Sequence, residues 1–214
     1  MDQQDTTHGK ADEWQIDNLP NRLTFFRIFL IPIIITSLWL TTFKTGWFYG
    51  MEKTLNYLAA WTFVLASITD FFDGYIARKR KLITVFGSFL DPIADKFLVV
   101  SSLIILLGLG RLSPLLVIIL VTREMYITAL RLLAIERGFK MPVGNLGKFK
   151  TTFQMIGIPL LMANDRPFGI PMYEIGMITI SLAALFSVYS AGEYSFKLFQ
   201  KMKNFRGQAK SKSL

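Results

Sequence analysis

The stretch that decides the fold of this chain is a pair of acidic motifs set in apolar sequence: Asp70-Phe-Phe-Asp73-Gly74-Tyr-Ile-Ala77-Arg78 and, eight residues later, Gly87-Ser-Phe-Leu-Asp91-Pro-Ile-Ala-Asp95. A carboxylate at membrane depth costs about 3 kcal/mol or more unless a cation or water compensates it. Spacings of three and four residues place each aspartate pair on one face of a helix. Because four converging carboxylates repel one another, the pattern predicts divalent metal between them. An all-oxygen ligand set favours Mg²⁺ or Mn²⁺.

The composition indicates an integral membrane protein. Hydrophobic residues make up 52% of the 214 residues and the mean hydropathy is +0.41, which is too apolar for an ordinary soluble domain. The chain has no cysteine, so disulfides and thiolate chemistry are excluded. The net charge of +9 comes from basic residues clustered at the ends of apolar segments. That clustering favours anionic membrane lipids, and not nucleic acid, as the partner.

Six apolar stretches are candidates for helices that cross a bilayer. They run over residues 22–43, 55–79, 86–110, 113–136, 150–164 and 173–197, and the fifth is short and contains Pro159. The sequence therefore predicts an all-α integral membrane protein of six transmembrane helices, with a six-helix domain over residues 21–200. Residues 1–20 form a cytoplasmic or interfacial segment, with an amphipathic anchor and a flexible lead-in as equal alternatives. Residues 201–214 are expected to be a basic, disordered tail attracted to anionic headgroups.

Positive charge predicts which side of the membrane the ends face. The segments after the second, fourth and sixth spans carry more lysine and arginine than the loops on the opposite side. The positive-inside rule then places both termini and the acidic motifs in the cytoplasm. The turn at residues 80–84 would bring the two aspartate faces together, around a polar cavity that faces the cytoplasm.

These residues resemble the signature of the CDP-alcohol phosphotransferase family. The family pattern D-x2-D-G-x2-A-R, eight residues, then G-x3-D-x3-D is matched at every position, by Asp70, Asp73, Gly74, Ala77, Arg78, Gly87, Asp91 and Asp95. The resemblance implies an enzyme that moves a phosphatidyl group from CDP-diacylglycerol, or a similar CDP-linked donor, onto an alcohol, with CMP as the leaving group. It also implies a homodimer. Because the start of the chain is similar to that of bacterial members, the expected location is the bacterial inner membrane.

The resemblance implies a role for each signature residue. Two Mg²⁺ ions, with Mn²⁺ as the alternative, would be held by Asp70, Asp73, Asp91 and Asp95 and would clamp the donor diphosphate. Asp95 would be the general base on the attacking hydroxyl, with Asp91 as its rival. The donor would contact Gly74, Ala77, Arg78 and Gly87, with Asn21, Thr24 and Arg27 from the first span. Helix packing by the small residues, and capping, ion pairing or snorkelling by the polar ones, are the alternatives.

A second set of polar residues bears on the acceptor alcohol. Arg123 and Arg131 lie in the fourth apolar span, and Lys148 and Lys150 begin the fifth. An arginine well inside a membrane span is a functional candidate, and these four cations predict an acceptor that carries a phosphate. Thr122-Arg123-Glu124 and Gly147-Lys148-x-Lys150-Thr151 resemble segments of family members that use glycerol 3-phosphate, which is the expected acceptor. Pairing of Arg123 with Glu124 or with a lipid headgroup is the alternative.

Other functions stay open from the sequence. Within the family, the alternative acceptors are inositol phosphate, serine and phosphatidylglycerol, although a neutral acceptor leaves the predicted acceptor cations without a clear partner. Outside the family, paired acids inside helices also occur in divalent-cation transporters and proton-coupled carriers. The sequence shows no inverted repeat of the transporter kind. Membrane prenyltransferases also use aspartates and Mg²⁺ on diphosphates, but their acidic motifs differ from the one that begins at Asp70.

Overall fold

The structure, a computed structural model, describes residues 19–43, 49–80, 85–136 and 145–211. For residues 19–24, 70–80, 85–93, 95, 145–146 and 204–211 it describes the backbone alone. The described ranges form α1 (Leu19–Leu40), α2 (Glu52–Arg80), α3 (Val85–Gly108), α4 (Pro114–Glu136), α5 (Asn145–Ala163) and α6 (Met172–Ser211), with a 3₁₀ turn at Pro167–Gly169. The predicted all-helical fold is confirmed for this part of the chain. The predicted interfacial segment lies outside the described residues, apart from Leu19 and Pro20 at the start of α1.

The helices follow the predicted apolar spans closely, with one exception. α6 has 40 residues and continues to Ser211, where the sequence predicted a helix ending near residue 197 and a disordered tail. Most of residues 198–211 are good helix formers, and Gly207 is the weakest position, so local propensity supports the extension. At about 1.5 Å per residue, α6 is about 60 Å long, roughly twice the thickness of a bilayer core.

One described segment, Met172–Lys203 of α6, is long and apolar enough to cross a membrane by its length and composition. Phe25–Leu40 and Lys96–Gly108 are apolar but shorter. Charged side chains interrupt the apolar sequence of α2 and α4. The helical architecture is consistent with a membrane protein, and six crossings remain a prediction.

Specific residues end the helices. Gly110 follows α3 with φ +69°, and its N–H donates to the Leu107 carbonyl at 2.9 Å while the N–H of Arg111 donates to the Leu106 carbonyl at 2.9 Å. This pair of hydrogen bonds is the Schellman arrangement, which needs a left-handed residue and therefore favours glycine. Asn164 ends α5 in the same left-handed region, with φ +44°.

The described chain divides into two compact units. Unit 1 contains α1, α2 and α3, together with residues 158–173, which include the last turns of α5. Unit 2 contains α4, residues 145–157 of α5 and α6 from Glu174. Each unit has its own buried residues and its own polar contacts.

Arg111 shows which helix ends meet in unit 1. Its Nη2 donates to Oδ1 of Asn56 in the first turns of α2, at 2.9 Å. Its Nη1 donates to the carbonyls of Leu161 and Met162 near the end of α5, at 3.2 and 2.7 Å. The start of α2 therefore lies beside the ends of α3 and α5, and we call this side of unit 1 the clasped end.

The remaining contacts of unit 1 show in which directions its helices run. α1 packs against both α2 and α3. Thr41 and Thr42, just after α1, line a groove of about 570 Å³ with residues 108–111, Asn164 and Tyr173. The end of α1 thus also lies at the clasped end. It follows that α2 runs opposite to α1 and α3.

Unit 2 is held together by contacts of α6 with α4 and α5. Ile127 and Ala134 of α4 form a buried cluster with Tyr194 and Leu198 of α6, and Met202 packs against it. This packing accounts for helix beyond the predicted end at residue 197. On α5, Phe153 stacks on Phe186 of α6 with ring centroids 5.5 Å apart.

Candidate active site

The four signature aspartates lie on the two helices that a four-residue link joins. Asp70 and Asp73 are in the last turns of α2, and Asp91 and Asp95 are in the first turns of α3. Residues 81–84, which join the two helices, lie outside the described residues, but so short a link spans about 17 Å at most. The predicted placement of the motifs at adjacent helix ends is therefore consistent with the backbone, and the aspartate side chains lie outside the described part.

The buried residues of α2 and α3 show which face the aspartate positions occupy. In α2, Ala59, Phe63 and Ala66 are all fully buried, and positions 70 and 73 continue this series at steps of four and three. In α3, Ala94 and Leu98 are buried, and position 91 precedes them at the same spacing. Positions 70, 73 and 91 therefore continue the helical spacing of the buried residues on α2 and α3.

Helix geometry also gives the distance, along the helix axes, of the aspartate positions from the clasped end of unit 1. With a rise of about 1.5 Å per residue, Asp70 lies about 21 Å along α2 from Asn56, and Asp95 lies about 20 Å along α3 from Gly108. The same count places Asp73 and Asp91 about 26 Å from that end. Asp70 and Asp95 thus lie at one level, that is, at about the same distance from the clasped end, and Asp73 and Asp91 lie at a second level. Each level has one aspartate from α2 and one from α3.

Arg27 is the predicted donor-binding residue whose side chain the structure describes. It lies on α1 with 0% of its surface exposed, and Ile34 and Leu38, seven and eleven residues later, are buried on the same helix. It lies about 20 Å from the end of α1, at the level of Asp70 and Asp95. A fully buried guanidinium in an apolar helix is retained for a polar partner or a function. This burial excludes the alternative of a snorkelling surface charge.

The other predicted donor contacts lie in described helices but have side chains outside the described part. Asn21 and Thr24 are in the first turns of α1. Gly74, Ala77 and Arg78 are in the last turns of α2, and Gly87 is in the first turn of α3. Their contacts with a donor stay predictions.

Unit 2 brings two of the four predicted acceptor-binding cations together. The side chains of Arg123 and Lys150 are 12% and 5% exposed, and both lie beside the carboxylate of Glu124. Arg123 Nη1 lies 3.5 Å from Glu124 Oε2, and Lys150 Nζ donates a hydrogen bond to that same oxygen. Arg131 and Lys148 are exposed. The predicted pairing of Arg123 with Glu124 is thus present, together with a second cation that the alternative did not include.

The structure adds polar residues that the sequence did not single out. Arg123 Nε donates to the carbonyl of Ser187 at 3.1 Å, and its Nη2 donates to Oγ of Ser190 at 2.6 Å. Gln154, one turn after Lys150, is 2% exposed. Serines three residues apart in an apolar helix were a weak signal, because small residues at that spacing also suit plain helix packing.

The groove at the clasped end is a different place from the acidic motifs. It lies some 20 Å along the helices from the levels of the aspartate positions. Among the residues whose side chains are described, no group of three or more acidic, histidine or cysteine residues could hold a metal ion. The four aspartates are outside that set, so the predicted metal site and polar cavity stay predictions.

Comparison with known proteins identifies the class of this molecule. A family model described as CDP-alcohol phosphatidyltransferase matches residues 17–189, which is most of the chain and includes both acidic motifs. The chain belongs to this family, and the predicted family membership is confirmed.

Named relatives within the family share most of their length with this chain. A Bacillus subtilis protein named CDP-diacylglycerol–glycerol-3-phosphate 3-phosphatidyltransferase is 37% identical over 189 residues, which cover 87% of this chain and 97% of the relative. A Rickettsia felis protein of the same name is 38% identical, covering 86% of this chain and 96% of the relative. A Mycobacterium tuberculosis protein named probable phosphatidylglycerophosphate synthase is 34% identical, covering 93% of this chain and 90% of the relative.

Proposed function

We propose that this chain transfers the phosphatidyl group of CDP-diacylglycerol to glycerol 3-phosphate, giving phosphatidylglycerophosphate and CMP. The observation that carries the proposal is the similarity, over nearly their whole length, to relatives named for this reaction in distantly related bacteria. The unbroken acidic signature supports the donor chemistry, and the neighbouring cations Arg123, which is partly buried, and Lys150, which is buried, support an acceptor with a phosphate.

The donor set of the signature fits a hard divalent cation. Four carboxylates at two levels of two consecutive helices supply oxygen ligands only, which suit Mg²⁺, with Mn²⁺ as the alternative. We propose that Asp70, Asp73, Asp91 and Asp95 hold two such ions. When bound, the metal neutralises the diphosphate and stabilises the charge that develops during phosphoryl transfer.

The residues of the chain itself perform the remaining tasks. Asp95, or Asp91 in its place, accepts the proton of the attacking acceptor hydroxyl as its oxygen bonds to the phosphorus of the phosphatidyl group. The bond from that phosphorus to the CMP oxygen breaks, and CMP leaves. The glycines at 74 and 87 leave room for the nucleotide beside the backbone, because they have no Cβ. Arg78 and Arg27, with Asn21, Thr24 and Ala77, contact the donor.

The acceptor is bound through its phosphate. Arg123 presents a planar guanidinium, which matches phosphate geometry, and Lys150 adds a compact positive charge. Arg131 and Lys148, which are exposed, add positive charge that attracts the anionic acceptor. A neutral alcohol such as serine would bring no anion to this pair of cations.

The proposal also includes the location, the membrane topology and the oligomeric state of the enzyme. The chain crosses the bacterial inner membrane six times, with both termini and the active site in the cytoplasm, and acts as a homodimer among anionic lipids. The apolar α6 and the family membership support a membrane location. The bias of lysine and arginine toward one set of loops supports the orientation.

Release of CMP by the purified protein in detergent tests the function. The protein receives CDP-diacylglycerol, Mg²⁺ and one acceptor at a time: glycerol 3-phosphate, inositol phosphate, serine or phosphatidylglycerol. We expect release with glycerol 3-phosphate only, with loss on chelation of the metal and recovery on adding Mg²⁺. Asp95→Asn should lower the rate by about 100-fold or more if Asp95 is the base. Release with another acceptor only would keep the family chemistry and overturn the acceptor.

A further inference from the structure

Glu124 lies between two cations of unit 2, the partly buried Arg123 and the buried Lys150. One of its oxygens, Oε2, is 3.5 Å from Arg123 Nη1 and accepts the hydrogen bond from Lys150 Nζ. Glu124 is 24% exposed, so a solvent-accessible edge remains beside cations that are almost covered. The three side chains have a net formal charge of +1, and one carboxylate oxygen joins both cations.

The two cations are held in different ways. The guanidinium of Arg123 is fixed from α6 by the Ser187 carbonyl and the Ser190 hydroxyl. These contacts do not involve Glu124, so they orient Arg123 without it. Lys150 carries its charge at the tip of a flexible four-carbon chain, where position depends on the partners of the ammonium. Loss of Glu124 is therefore expected to displace Lys150 more than Arg123.

We propose that Glu124 is a positioning residue for the acceptor: it holds Lys150 beside Arg123 so that both cations bind one phosphate. This inference rests on the proposed function. Without the carboxylate, the two cations repel each other and the flexible lysine moves away. A carboxylate also repels an incoming phosphate, so the two effects oppose each other. The direction of the change in acceptor KM shows which effect dominates, and the proposal requires that positioning does.

Steady-state kinetics of four proteins test the proposal: wild type, Glu124→Ala, Lys150→Met and the double variant. We expect Glu124→Ala to raise the KM for glycerol 3-phosphate about tenfold, to change kcat less than threefold and to leave the KM for CDP-diacylglycerol unchanged. Because Glu124 acts through Lys150, and its own charge repels the acceptor phosphate, the double variant should have an acceptor KM no higher than that of Lys150→Met alone. Glu124→Asp, which keeps the charge, should recover part of the loss.

A matched control is available on α6. Glu193 is a more exposed carboxylate with its own lysine, Lys197, one turn later. Glu193→Ala removes the same kind of charge from unit 2 and should leave the acceptor KM unchanged. If Glu124→Ala does not fold, Glu124→Gln replaces it in the set of four proteins. Glutamine keeps the shape of the side chain and one oxygen that can accept a hydrogen bond.

The outcomes separate this inference from the proposed function. A lower or unchanged acceptor KM in Glu124→Ala, or additive effects in the double variant, overturns the positioning role while the wild-type activity stands. A wild type that releases no CMP with glycerol 3-phosphate overturns the proposed function. In that case, binding of inorganic phosphate to the same variants, measured by calorimetry, decides the inference: equal affinity for wild type and Glu124→Ala contradicts it, and a tenfold loss that depends on Lys150 supports it.

Discussion

At the scale of single residues, Asp165 connects two parts of unit 1 at the clasped end. Its Oδ2 accepts hydrogen bonds from Lys53 Nζ and Tyr57 Oη, both at 2.9 Å. Lys53 and Tyr57 are one turn apart at the start of α2, and Asp165 follows the end of α5. Together with Arg111, these residues tie the start of α2 to the end of α5 by side-chain hydrogen bonds.

The Asp165 contacts predict a stability that depends on pH. The hydrogen bond from Lys53 holds the pKa of Asp165 below its usual value, and the same bond raises the pKa of Lys53. A carboxyl with a lowered pKa stabilises the fold above its unfolded pKa of about 4 and loses this contribution as pH falls through its folded pKa. The lysine contributes below about pH 10.4 and loses its contribution as pH rises through its raised folded pKa.

We therefore expect Asp165→Asn to lower the thermal unfolding midpoint at pH 7, and the difference from wild type to narrow as the pH falls below about 4. Thermal unfolding in detergent across this pH range measures both. Lys53→Met should show the same narrowing, and Thr54→Ser, at an exposed neighbouring position, should show no difference at any pH. A difference for Asp165→Asn that is constant from pH 7 to pH 3 would contradict the ionic role.

The sequence predicted the placement of some of these residues but not the partners of others. The aspartates could be predicted because their chemistry is fixed by local spacing: three and four residues decide a helix face. The partners of Arg123 could not be, since Ser187 and Ser190 are 64 and 67 residues away in the chain. Glu124 was considered only as an ion-pair partner, because its place between two cations depends on how α4 and α5 pack.

At the scale of helices, α5 and α6 approach closely at Gly157. A Cβ placed on this glycine would lie 2.7 Å from Ile180 Cγ1 and 2.7 Å from Thr179 Oγ1. Both contacts are well inside normal van der Waals distance, so the absence of a side chain sets how near the two helices come. Small residues serve the same purpose at helix crossings in membranes generally.

A pair of glycine variants tests this crossing. Gly157→Ala should destabilise the protein by about 1–3 kcal/mol, because the new methyl group forces α5 and α6 apart. Gly192→Ala, in the same unit, places its methyl group where nothing lies within 4 Å, and should be neutral or stabilising by up to about 1 kcal/mol. Thermal unfolding of both variants gives the comparison. Equal midpoints for the two would show that the crossing tolerates a larger residue.

The positions of the helices could largely be predicted from the lengths of the apolar segments. The exception is the extension of α6 past residue 197, and it has a physical cause. Boundaries of apolar segments show where helices form, but α6 continues past its apolar part into basic sequence. Lysine and arginine have helix propensities close to that of leucine, so charge alone does not end a helix. The packing of Leu198 and Met202 against α4 involves residues far apart in sequence, which composition does not predict.

At the scale of the whole molecule, the chain separates its predicted chemistry between two units. The positions of the acidic motifs all belong to unit 1, and the Arg123, Glu124 and Lys150 cluster belongs to unit 2. Under the proposed function, one unit handles the donor and the other binds the acceptor. Variants at the aspartates should then lower kcat at saturating glycerol 3-phosphate, while variants at Lys150 should raise the KM for glycerol 3-phosphate.

The membrane topology gives the last prediction. Five helices, α2 to α6, separate Met51 from Ser211. Under the proposed six crossings, each of these helices spans the membrane, and an odd number of crossings puts the two residues on opposite faces. The positive-inside rule predicts that Ser211 lies on the cytoplasmic face. Because the chain contains no cysteine, a single introduced cysteine is the only thiol that a maleimide can label.

We expect Met51→Cys, at a position whose native side chain is 44% exposed, to react with a membrane-impermeant maleimide in intact cells. Ser211→Cys should react only in inverted vesicles, and the cysteine-free parent should not react in either preparation. Retained CMP release by both variants would show that the labelled molecules are native. Labelling of both positions from the same face would require an even number of crossings between Met51 and Ser211. At least one of the five helices would then not span the membrane, which would contradict the prediction of six crossings.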